Sequence, residues 1–140
     1  RTKDGHENSY NLPDKINAID WKRKVTYRDV FDYYRGLIAL RKAHPAFRMK
    51  TGREIRRNLA FLPMPSKRIV GYCIHGVDVG DSAEWLVVLL NATTKSQTVT
   101  LPESNWNVLV DADHAGTKVL RKIKGDTCDI APRSALVLAR

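Results

Sequence analysis

The segment from Trp85 to Ala92 constrains the fold more than any other part of this sequence. It reads Trp-Leu-Val-Val-Leu-Leu-Asn-Ala, so an extended strand here would carry apolar side chains on both faces. A strand of that kind needs a covering layer on each side, which is typical of the centre of a sheet. No apolar run approaches the roughly 20 residues that a membrane-spanning helix requires, and we expect no membrane partner.

Short segments of strand character surround this one through the second part of the chain. Turn signals such as Gly80-Asp81, Gly125-Asp126 and Pro132 separate them. Many short strands with turns at this spacing predict an antiparallel sandwich or barrel. The predicted strands are 53–62, 68–75, 85–92, 97–101, 106–111, 118–123, 127–130 and 135–139.

One helix is predicted before these strands. Apolar residues from Tyr27 to Ile38 recur at the spacing of a helix face, and Thr26 with Asp29 resembles a capping box at its start. Proline disfavours helical geometry in the residue before it, so His44-Pro45 should end the helix. Residues 1–25 are polar and rich in turn signals, and we predict that they form a loop.

The chain is basic, with a net charge of +9. Its Lys and Arg residues are scattered over different predicted elements, and no basic cluster is interleaved with aromatic residues as in a single-strand binding platform. A solvated basic surface is the favoured interpretation. The two cysteines, Cys73 and Cys128, lie in apolar or alternating segments, and we favour reduced, buried thiols over a disulfide.

The opening loop combines aromatic and polar residues. Tyr10 and Trp21 occur among Asn8, Asn11, Asp14, Asn17 and Asp20. Amides and carboxylates bind vicinal hydroxyl groups, and an aromatic face covers the apolar side of a sugar ring. The loop is therefore a candidate for sugar binding.

The order of several motifs resembles that of a known enzyme family. These motifs are Asn8-Ser9-Tyr10, Ile19-Asp20-Trp21, the segment from Gly36 to Arg48, and the ending from Pro132 to Leu138. Together they resemble the end of the catalytic barrel and the following β domain of type I pullulanases, which are debranching glycoside hydrolases of the α-amylase superfamily. The resemblance covers the whole chain and is most specific over residues 1–48.

The resemblance implies the fold class and the activity of a longer protein. It implies a mainly β fold, with a C-terminal antiparallel β-sandwich at 46–140 and, at 1–45, a loop and one helix left from the end of a (β/α)8 barrel. The family hydrolyses α-1,6 branch linkages in α-glucans by a retaining mechanism, with two carboxyl groups about 5 to 5.5 Å apart. In the family these groups lie upstream of the position of Arg1. We therefore expect a truncated, non-catalytic chain that stabilises the barrel.

The resemblance also implies a substrate loop, because loops at the C-terminal face of such a barrel build the active site. Arg1 is expected to pair with a carboxylate near that site, and Asp20 and Trp21 to fix the loop to the barrel rim. The residues expected to bind glucan are Asn8, Tyr10, Asp14 and Asn17.

The expected partners are an α-glucan and the missing barrel, not nucleic acid, and we expect no metal or cofactor. The four histidines show no paired metal-ligand spacing. Two other hypotheses stay open. One is an autonomous carbohydrate-binding β module that uses Trp85 or Trp106, and the other is a nucleic-acid-binding domain that uses the positive charge.

Overall fold

The computed structural model describes Gly5 and residues 7–140. The predictions for Arg1 and for the other residues at 1–4 and 6 lie outside this range. The chain divides into two compact units, the first ending at Phe31 and the second running from Asp32 to Arg140. The predicted domain division at residue 45 stays a prediction.

The first unit contains two short helices where the sequence predicts only a loop. Helix α1 spans Asp14–Asn17 and helix α2 spans Arg23–Thr26. Pro13, with φ −67°, occupies the N-cap of α1, where its missing N–H costs nothing. Each helix is a single turn with no buried residue, which is too short to produce an apolar periodicity in the sequence.

Helix α3 spans Arg28–Ala43 and ends directly before His44-Pro45, as predicted. A short 3₁₀ helix, Pro45–Arg48, follows it. The predicted capping box at its start is wrong. Thr26 belongs to α2, and its hydroxyl donates to the carbonyl oxygen of Lys22 at 3.3 Å. A threonine one turn into a helix often bonds backward in this way.

The second unit is built on antiparallel strands, which confirms the predicted mainly β fold. A six-stranded sheet has the order β1-β2-β3-β8-β5-β6, and β4 and β7 form a two-stranded sheet. The strands are β1 (Leu59–Phe61), β2 (Ile69–His75), β3 (Trp85–Asn91), β4 (Gln97–Thr100), β5 (Trp106–Val110), β6 (Arg121–Ile123), β7 (Thr127–Ile130) and β8 (Ser134–Ala139). Strand β3 lies inside the larger sheet between β2 and β8, as its two apolar faces predict.

The predicted strand at 53–62 is wrong over its first half. Residues Gly52–Asn58 form helix α4, and only Leu59–Phe61 pair as a strand. A capping box fixes the start of α4. Thr51 Oγ1 accepts from the Glu54 N–H, and Glu54 Oε2 accepts from the Thr51 N–H, both at 3.1 Å. Two backbone donors are thereby satisfied, and the local alternation of apolar residues does not decide the structure.

Both faces of the six-stranded sheet are covered. One face joins Val87, Leu89 and Leu138 to residues of the two-stranded sheet, including Cys128 and Ile130. The other face carries a second cluster, to which α3 and the segment after it contribute, with the members Leu40, Ala46, Ile74, Ala83, Leu86, Val88, Leu109, Val110, Val137 and Ala139. The second unit thus has three layers: helix, large sheet and small sheet.

Cys73 and Cys128 are free thiols, and both are buried. Burial, with a smaller contribution from the nearby Asp129 carboxylate, raises the pKa of Cys128 to about 11. The thiol is therefore protonated near neutral pH. Over residues 5 and 7–140, no helix has the length and apolar character needed to cross a membrane.

Candidate functional site

The first unit contains a concave surface that encloses a volume of about 730 Å³. Asn8 and Asn17, two of the four predicted glucan-binding residues, line it together with Trp21, Lys24 and Phe31. Tyr10 and Asp14 are not among its lining residues. The fold thus brings two of the predicted residues to one concavity and adds aromatic groups to them.

Local hydrogen bonds shape the loop around Asn8 and Asn17. Asn8 Oδ1 accepts from the Tyr10 N–H at 2.9 Å, which forms an Asx turn. Asn17 Nδ2 donates to the carbonyl oxygens of Ser9 and Leu12 at 2.8 and 2.7 Å. Within the described part of the chain, the Asn17 side-chain oxygen accepts no hydrogen bond. Asn17 can therefore hold the loop with its amide nitrogen while its oxygen accepts from a ligand hydroxyl.

Tyr10 and Asp14 lie on the outer surface of the loop. Tyr10 is 87% exposed, and Asp14 is an exposed residue in the first turn of α1. A fully exposed phenol can stack on a sugar ring, and a carboxylate can accept from hydroxyl groups. Their role in binding glucan stays a prediction.

Trp21 and Phe31 give the concavity its aromatic character. Trp21 is 74% exposed, and Lys24 Nζ lies 4.5 Å from the centroid of the Phe31 ring. The anchoring role that the sequence gives to Trp21 also stays a prediction. Trp21 and Phe31 are ten positions apart in the sequence, and this spacing did not indicate that both would line one surface. Glu7, Asp20 and Arg23 also line the concavity, so it combines aromatic faces and amide groups with charged groups of both signs.

The second unit contains a buried ionic centre after the end of α3. His44 Nδ1 lies 2.8 Å from Asp81 Oδ1, which also accepts from the Ala83 N–H at 2.9 Å. Asp81 Oδ2 accepts from the Ala46 N–H at 3.1 Å. Burial alone would raise the pKa of Asp81, but hydrogen bonds from Ala83, His44 and Ala46 together hold it below its ordinary value. Every bond of this carboxylate is structural, and nothing in its surroundings resembles a proton-donating site.

The two tryptophans of the second unit do not form an exposed platform. Trp106 is 1% exposed, and its indole N–H donates to the carbonyl oxygen of Glu103 at 2.7 Å. Trp85 is half-buried, with the His75 ring centroid 4.7 Å from its own. Trp106 thus belongs to the core between the two sheets, and Trp85 packs against that core.

Comparison with known proteins finds pullulanases among the relatives of this chain. The family described as "Pullulanase, all-beta domain" matches residues 55–114. Pullulanase from Bacillus subtilis strain 168 is 39% identical over 102 residues, which are 73% of this chain and 14% of that protein. This chain thus spans about one seventh of the length of that relative.

Solved structures agree over the whole chain. Pullulanase from Bacillus acidopullulyticus matches with a TM-score of 0.93 and 38% identity, over 100% of this chain and 17% of that one. Type I pullulanase from Bacillus subtilis complexed with maltose matches with a TM-score of 0.87 and 33% identity, over 99% and 19% of the two chains. The chain therefore belongs to the pullulanase family and carries the all-β domain of that family.

Proposed function

We propose that this chain is a non-catalytic part of an enzyme that hydrolyses α-1,6 branch linkages in α-glucans. Its first unit lends a substrate-binding loop, and its second unit stabilises a catalytic barrel. The observation that carries the proposal is the concave surface of the first unit, where Asn8, Asn17 and Trp21 combine amide groups with an exposed aromatic face. The maltose bound by the related Bacillus subtilis enzyme supports an α-glucan as the ligand.

The chemistry of the loop fits a neutral sugar chain. Asn8, Tyr10, Asp14 and Asn17 supply amide, phenol and carboxylate groups for ligand hydroxyls, and all four are exposed. Asp14 and Asp20 do not supply catalysis in this proposal. Both are exposed, and a carboxylic acid that donates a proton needs an apolar pocket to raise its pKa.

The barrel is the proposed partner of the outer face of α3. Tyr34 and Ile38 are one turn apart on this helix and are 64% and 55% exposed. Two large apolar side chains at this spacing form a stripe that a neighbouring helix can cover. The proposal assigns that stripe to the barrel, while the opposite stripe, with Leu37 and Leu40, packs toward the sheet.

Pullulan hydrolysis tests the non-catalytic assignment. The purified chain should release no reducing sugar from pullulan. Release that is abolished by Asp14→Asn would contradict the proposal, because it would place a catalytic carboxylate in this loop.

Substrate binding is tested in a full-length debranching enzyme that carries this chain. Tyr10→Ala should raise KM for pullulan about tenfold if the ring stacks on a sugar, whereas Tyr10→Phe should leave KM nearly unchanged. Lys15→Ala, at an exposed position of helix α1 in the same unit, provides the matched surface control. An unchanged KM in Tyr10→Ala would remove Tyr10 from the proposed site.

A further inference from the structure

An apolar groove lies in the second unit between α3 and the six-stranded sheet. Its volume is about 550 Å³, which is within the range of roughly 300–1,000 Å³ that small-molecule sites occupy. Leu37 lines it from the helix, and Tyr72, Val88, Leu90 and Val137 line it from the sheet. Leu90 is 41% exposed, so the groove opens to solvent.

The polar groups of the groove are few. Of its lining residues only Tyr33, Arg41 and Tyr72 carry polar side chains, and none carries a carboxylate. The Tyr33 hydroxyl already donates to the carbonyl oxygen of Asp111 at 2.9 Å. A glucan brings many hydroxyl groups that need partners, and burying them here would be costly. The groove therefore suits a mainly aliphatic ligand and not the sugar of the proposed function.

The charge at the groove is positive. Arg41 is the one charged residue among its lining residues, and one of its N–H groups donates to the carbonyl oxygen of Phe47 at 2.6 Å. Other donors of the guanidinium remain for an anion, since this group has five N–H donors. Two more positively charged residues, Arg48 and Lys50, flank the lining residue Met49 in the sequence. The net charge of +9 adds a long-range attraction for anions.

We propose that this groove binds a free long-chain aliphatic carboxylate. The alkyl chain contacts Leu37, Val88 and Val137, and the carboxylate pairs with Arg41. An apolar lining, a solvent opening, and one cation in a lining that has no carboxylate are the features that select such a ligand. The proposal concerns only the second unit, and it stands or falls independently of glucan binding by the first.

Laurate is the probe, and isothermal titration calorimetry of the intact chain is the measurement. We expect saturable binding of one laurate per chain at laurate concentrations at which it is monomeric. Arg41→Gln should weaken binding about tenfold, because a charge-assisted bond is lost, and Arg41→Lys should restore most of it. Lys42→Gln is the matched control, since it removes one positive charge from the next position of the helix but not from the groove.

A second pair of variants tests the position of the alkyl chain. Leu90→Asp and Leu90→Asn place side chains of similar size in the groove at a position that already contacts solvent. Both should weaken binding, and Leu90→Asp should weaken it more, because its carboxylate repels that of laurate. Thermal unfolding of each variant shows whether the second unit is intact.

Four results of the laurate experiments would overturn the proposal. They are the absence of saturable laurate binding, equal affinity for uncharged dodecanol, displacement of laurate by maltotriose, and equal binding by Arg41→Gln and the wild type. Sedimentation of the chain with dioleoylphosphatidylglycerol vesicles, without binding of free laurate, would also overturn it. The groove would then be part of a lipid-surface contact.

Discussion

The two units of the chain differ in the sequence separation of the residues that their hydrogen bonds connect. In the first unit, Asn17 bonds the carbonyl of Ser9 only eight positions away. In the second, Tyr33 bonds the carbonyl of Asp111 across 78 positions. Apolar burial follows the same division, since Trp21 is 74% exposed and Leu138 is fully buried. The second unit therefore supplies most of the folding free energy, while the first presents chemical groups.

The largest expected effect comes from the core of the second unit. Leu138→Ala removes a fully buried side chain in β8 and should lower the free energy of unfolding by about 4 kcal/mol. Ile19→Ala, at a residue of the first unit that is 71% exposed, should lower it by less than about 0.5 kcal/mol. Urea denaturation measures both. Equal losses would show that the two units contribute similarly to the free energy of unfolding.

Asp81→Asn tests the buried ionic centre. Asparagine cannot accept on both sides, so a buried N–H loses its partner, and we expect a loss of about 3 kcal/mol at pH 7. The pKa of Asp81 is lowered in the folded state. Its ionised form therefore stabilises the fold above the unfolded pKa of about 3.9, and this stabilisation disappears as the pH falls through the lower folded value.

The difference in stability between wild type and Asp81→Asn should thus narrow as the pH falls below the unfolded pKa of about 3.9 and through the lower folded value, as measured by thermal unfolding. Asp78→Asn is the matched control. Asp78 forms a partly exposed pair with Arg57 at 3.3 Å, which should contribute less than about 1 kcal/mol. A difference that stays constant with pH would show that the Asp81 charge does not stabilise the fold.

Gly36→Ala tests the close approach of α3 to the loop after β5. A β-carbon at Gly36 would overlap the backbone carbonyl of Ala115. Alanine normally stabilises a helix relative to glycine, yet here we expect a loss of about 2 kcal/mol. Gly116→Ala is the control, since its β-carbon would meet no atom within 4 Å. Increased stability in Gly36→Ala would mean that the helix shifts away from the loop at little cost.

Deleting residues 1–25 should have the smallest effect. If the second unit is stable by itself, the midpoint of its cooperative thermal transition should change by less than about 2 °C. Differential scanning calorimetry measures this. Loss of the cooperative transition would show that the second unit does not fold without the first.

The sequence predicted the parts of the fold whose signals are local. The two apolar faces of β3 placed it inside a sheet, and proline at 45 ended α3. Helix α4 was missed although the Thr51–Glu54 capping box is visible in the sequence, because partial alternation suggested a strand. Asp81 was missed because its partner His44 lies 37 positions away. Such a pairing depends on how β2 and β3 bring distant segments together.

The sequence predicted only some of the residues that line the candidate site. Side-chain chemistry pointed to Asn8 and Asn17, and both line the concavity. Chemistry alone did not separate them from Tyr10 and Asp14, which face outward. The groove against the sheet gave no sequence signal, because its lining residues come from separate helices and strands and meet only in the folded structure.

The position of β8 has a consequence for how the protein is made. This strand, Ser134–Ala139, lies between β3 and β5 and pairs with both. During synthesis, β3 and β5 leave the ribosome without the strand that joins them, so the six-stranded sheet cannot close until Ser134–Ala139 emerge. A nascent chain stalled before residue 134 exposes two unpaired strand edges. Emergence of β8, and not the early formation of α3, therefore sets the moment at which the sheet becomes protected from aggregation.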